Sequence, residues 1–75
     1  MADNLPQAKD KLAGQRRAVR EHVKKWREFN EPYEKNTALK TIQNAQSHIA
    51  KIKSDHASLK HDNDKADTWR PGDSL

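Results

Sequence analysis

The chain has 75 residues, 32% hydrophobic and 35% charged, with no cysteine and a formal net charge of +4. That bounds it to one small domain, excludes disulfides and thiolate metal sites, and leaves no apolar run near the ~20 residues of a transmembrane helix. The opening Met1-Ala2-Asp3-Asn4-Leu5-Pro6 lacks the basic and apolar regions of a signal peptide, so a soluble, cytoplasmic protein is expected.

The first predicted element is a helix over residues 5–29. Asp3 or Asn4 is placed to cap it, with Pro6 in the first turn, where a missing N–H costs nothing. Leu5, Leu12, Val19 and Trp26 recur every seven residues as heptad a positions, and Ala8, Gln15, His22 and Phe29 fall on d. Val23 widens this stripe. Gly14 lies on the flank away from the seam, either as an incidental glycine or to admit a close neighbour.

Asn30-Glu31-Pro32-Tyr33 breaks the first helix, because a residue before proline avoids helical backbone. The second helix is expected from residue 32 or 36 to residue 61. Ile42, Ile49 and His56 form its a track, and Ala38, Ala45, Ile52 and Leu59 its d track. Asp62-Asn63-Asp64 ends it, and an irregular tail follows over residues 65–75, with Pro71-Gly72 as a turn signal.

A short connection makes the two helices antiparallel neighbours. The expected architecture is therefore all-α: a coiled-coil-like helical hairpin over residues 1–64 and a C-terminal tail. Leu12, Val19, Trp26, Ile42, Ile49 and Ile52 should carry the assembly seam. One narrow apolar edge per helix is little core for a chain of this size. The hairpin is therefore expected to be completed into a bundle by self-association or by a protein partner.

Charge is unevenly spread. Residues 9–27 hold eight Lys or Arg against Asp10 and Glu21, a net of +6, whereas the tail from Asp62 has a net of −2. Arg17, Arg20, Lys24 and Arg27 follow i, i+3, i+7, i+10 and form one cationic stripe pointing away from the seam. With Trp69, which is either an anchor for a partner's pocket or a cover for the open end of its own bundle, they are the candidate partner-binding residues. Ser47, Ala50, Ser54 and Ala57 form a stripe of small residues on the second helix.

The expected function is non-enzymatic: a helical interaction protein that serves as an adaptor or structural subunit. The alternative is a basic hairpin that binds RNA or DNA as a dimer, with affinity that falls with salt. No base-reading motif supports the alternative. No nucleophile–base–orienter set can be assembled, so no catalytic residue, cofactor or small-molecule substrate is expected. His56 and His61 are five apart, and a shared metal needs four, so no metal site is expected either. His22 and His56, near the seam, are candidates for pH sensitivity of the assembly.

Overall fold

The computed structural model describes residues 5–75, so capping by Asp3 or Asn4 lies outside the described residues. Two 24-residue helices dominate it, α1 (Leu5–Glu28) and α2 (Pro32–Asp55). They pack along their length as a hairpin, and the molecule measures 48 × 18 × 14 Å. Glu31 is extended at φ −81°, ψ 131°, as a residue before proline must be. Pro32 then starts α2 in the first turn, the position that has no use for its missing N–H.

The seam buries Leu12, Val19, Ile42 and Ile49 almost completely, together with Ala8, Val23 and Ala45. Trp26 and Ile52 are only half-buried and pack against this cluster from its edge. Gly14 admits no close neighbour, since a Cβ built there meets nothing within 4 Å.

The structure departs from the sequence expectation after Asp55. The second helix does not continue to His61. His56 adopts an extended conformation, φ −127°, ψ 104°, and a 3-10 turn follows over Ala57–Leu59. Leu59 is buried, but from that turn rather than from a straight helix.

The tail is not irregular. A short helix, α3 (Lys65–Thr68), is capped at its start by Asp64, whose Oδ1 accepts from the Ala66 N–H at 3.0 Å. Asp67 reaches back to accept from the Asp64 N–H at 3.2 Å, a reciprocal box that satisfies two otherwise orphaned donors. Arg70-Pro71-Gly72-Asp73 then closes a turn, with the Asp73 N–H donating to the Arg70 carbonyl at 2.9 Å. Gly72 sits at φ +102°, the left-handed backbone that the third residue of a type II turn requires, with proline before it.

This C-terminal segment lies back over the hairpin. Ala66 and Trp69 are 0% and 2% exposed and belong to the same core as the seam. The chain's own C-terminal segment thus covers part of a seam expected to be completed by self-association or a protein partner.

Candidate interaction surface

In heptad terms Arg16 and Val23 on α1, and Gln46 and Lys53 on α2, all occupy e positions. In an antiparallel pair the e positions of both helices border the same side of the seam, where charged residues commonly set pairing. The C-terminal segment docks on this side.

Asp67 is the centre of the dock, with its side chain 6% exposed. Arg16 grips it with two bonds, Nε to Oδ1 at 2.9 Å and Nη2 to Oδ2 at 2.8 Å. Such a planar fork on a carboxylate is the strong form of a charge-assisted pair. Lys53 Nζ donates to Oδ2 at 3.1 Å and to Asn63 Oδ1 at 2.8 Å. One carboxylate therefore ties α1, α2 and the start of α3 together. Burial pushes the Asp67 carboxyl up, but the Arg16 and Lys53 hydrogen bonds and charges outweigh it and hold it below the ordinary value. Asp67 in turn raises the pKa of the Arg16 guanidinium. Arg16 Nη2 also donates to the Asp62 carbonyl at 2.6 Å, and Nη1 lies 3.3 Å from Asp62 Oδ1.

Trp69 fills the apolar part of the dock. Its ring meets Trp26 edge-on, centroids 5.5 Å apart at 76°, the favoured arrangement of two aromatic quadrupoles. Its Nε1–H donates to the Asp73 carbonyl at 3.1 Å, so the indole's polar atom is satisfied inside its own turn. Gln46 Nε2 donates to the Ala66 and Trp69 carbonyls at 3.1 and 2.9 Å, covering the acceptors at the end of α3. Lys35 Nζ lies 4.5 Å from the Trp26 ring centroid and donates to the Trp26 carbonyl at 2.6 Å.

The four cations of the α1 stripe divide into two pairs. Arg20 Nη2 binds Asp64 Oδ1 at 2.6 Å, and that bond, with the Ala66 N–H bond, lowers the Asp64 pKa. Arg27 Nη2 donates to the Asp73 carbonyl at 3.2 Å. Both are thus held by the acidic tail. Arg17 and Lys24 are exposed and make no hydrogen bond or ion pair among the described residues. Trp69, open in the sequence between an anchor for a partner and a cover for its own bundle, is buried on its own chain, against Trp26.

Arg16 and Lys53 are absent from the expected site, although they carry the dock. Their e positions beside the seam were the available signal, since a cation there faces whatever packs on that flank. The opposite flank stays open: a groove of about 260 Å³ near the hairpin turn is lined by His22, Phe29, Tyr33, Ala38 and Thr41. Tyr33 is 80% exposed, the one large hydrophobic side chain so displayed among the described residues. A second groove, about 550 Å³, runs beside Ala50, Ser54 and Ala57 of the small-residue stripe, with Lys53 and Lys60 at its edge. His22 Nδ1 pairs with the Ala18 carbonyl at 2.9 Å.

Among the described residues no three His, Cys, Asp or Glu converge as metal ligands, and no helix is long and apolar enough to cross a membrane. Comparison with known proteins returned no match, whether to family models, curated proteins or solved structures.

Proposed function

We propose that the chain is a non-enzymatic helical interaction protein, an adaptor or assembly subunit, that docks the outward face of α1 on an acidic surface of a protein partner. The observation that carries this reading is the division of the cationic stripe. Arg20 and Arg27 are already held by acidic or carbonyl oxygens of the tail, so this face accepts an acidic polypeptide in its own fold. Arg17 and Lys24, on the same face, remain exposed for a further one. Among the described residues Tyr33 is the one exposed large apolar side chain, which favours a charge-led contact, fast to form and sensitive to salt.

The alternative partner is RNA or DNA. It is favoured by the spacing of Arg17, Arg20, Lys24 and Arg27 along one straight helix, about 15 Å from first to last, which lets several cations meet successive phosphates.

The test is cross-linking in the source cells with wild type and an Arg17→Glu/Lys24→Glu variant. The protein reading expects a cross-linked protein that survives nuclease treatment and is lost in the variant. A complex that nuclease abolishes, with a salt slope that falls in the variant, selects the nucleic-acid reading. A cross-linking pattern indifferent to both substitutions refutes the basic face as the docking element.

A further inference from the structure

The helix α2 stops at Asp55, but the pattern that builds it does not. The a and d tracks continue through Ile52, His56 and Leu59, and residues 56–61, His-Ala-Ser-Leu-Lys-His, contain neither glycine nor proline. Nothing in this local sequence forbids helix. A straight helix would also satisfy carbonyls of the last turn of α2 that a helix end leaves without intrahelical donors. The bend is held by the burial of Leu59 and by contacts from beyond it. Asp64, Asp67 and the Ala66 and Trp69 carbonyls bind Arg20, Arg16, Lys53 and Gln46, and Trp69 packs on Trp26. The hairpin is thus a receptor for an acidic, aromatic segment, joined to that segment by a short stretch whose sequence suits two backbones.

We propose that this chain exchanges its C-terminal segment with a second copy. His56 becomes helical, α2 runs straight to about His61, and Asp64–Trp69 of each copy docks on the Arg16, Gln46 and Lys53 flank of the other. Each site then takes its receptor from one copy and its Asp67 and Trp69 from the other. The occupant is the segment already seated there, so charge and shape complementarity carry over unchanged. Only the hinge differs between the two forms, and exchange begins to compete as protein concentration approaches the roughly millimolar effective concentration of a tethered segment. The exchange does not depend on the acidic partner proposed above.

The hinge supplies its own test. His56 at φ −127°, ψ 104° lies near the region a pre-proline residue prefers, and Ala57 is the exposed first residue of the 3-10 turn. Ala57→Pro therefore fits the bent form and breaks the continuous helix. Native mass of the full chain, by light scattering after refolding across a concentration series, should show a dimer in wild type. Its dissociation constant should rise at least about a hundredfold in Ala57→Pro, the equilibrium effect of an interior helix proline. Mixing Arg16→Ala/Lys53→Ala with Asp67→Asn/Trp69→Ala should restore a heterodimer with one intact site, which neither variant forms alone. Should those double variants fail to fold, wild type and Ala57→Pro decide the matter. A wild type that stays monomeric throughout, or a dimer unaffected by Ala57→Pro, overturns the proposal.

Discussion

Asp67→Asn is the sharpest probe of what holds the C-terminal segment down. The substitution keeps size and shape but removes the charge on which Arg16 and Lys53 converge. The carboxylate accepts four hydrogen bonds, two from Arg16, one from Lys53 and one from the Asp64 N–H. An amide offers a single acceptor oxygen and turns its NH2 towards a cation. Breaking a fully buried pair from one side costs about 3–5 kcal/mol. Arg16 and Lys53 keep 12% and 16% of their side-chain surface, so water softens the loss to about 2–4 kcal/mol. At ~0.05–0.15 kcal/mol per residue the whole domain has only about 4–11 kcal/mol, so this single change removes a large share. Urea unfolding followed by circular dichroism and tryptophan fluorescence measures it. Asp62→Asn is the internal control: Asp62 touches the same Arg16 but is 48% exposed, and an exposed pair contributes about 0–1 kcal/mol. A loss in Asp67→Asn no larger than in Asp62→Asn would refute the reasoning.

Other expectations follow from the same contacts. Gly14→Ala should stabilise the protein by about 1 kcal/mol, because the new methyl meets open space and the helix interior disfavours glycine; a loss on thermal unfolding would contradict this. Trp69→Ala should cost about 3–5 kcal/mol, the usual effect of truncating a buried tryptophan, with Trp26 fluorescence shifted towards that of a hydrated indole. Asp64 and Asp67 have folded pKa values below their ordinary 3.8. Their ionised forms therefore contribute stability that is whole above that value and is lost as pH falls through the folded one. Stability should drop on acidification below about pH 4, and Asp67→Asn should flatten that limb of the profile. Arg17→Glu/Lys24→Glu should leave the unfolding curve within about 0.5 kcal/mol of wild type, as surface changes away from packed features do.

The helices and the seam were legible because periodicity reports which face is buried. Leu12, Val19, Ile42 and Ile49 announce their burial by spacing alone, and Pro32 announces the turn by its effect on Glu31. The fold of the C-terminal segment was not legible for the opposite reason. The apolar pattern runs unbroken through His56 and Leu59, and the segment beyond the bend is held by contacts some 50 residues away in sequence, Arg16 with Asp62 and Asp67. Local pattern carries no record of such contacts. The site was partly visible: Arg20, Arg27 and Trp69 all take part, but as intramolecular partners. Spacing identified Arg17, Arg20, Lys24 and Arg27 as one face, yet could not show that an acidic tail would claim two of them. Arg16 lies outside that stripe of f and b positions, on an e position beside the seam, and e positions decide what packs there.

The C-terminal segment is a packed third element of the hairpin. Nuclear magnetic resonance of the two indoles in dilute solution tests this most directly. The 5.5 Å separation of the Trp26 and Trp69 rings predicts nuclear Overhauser effects between their protons. The bond from Trp69 Nε1–H to Asp73, inside a side chain 98% hidden from water, predicts slow exchange of that proton. An absence of cross-peaks, with the Trp69 indole proton exchanging as in a free peptide, would contradict it.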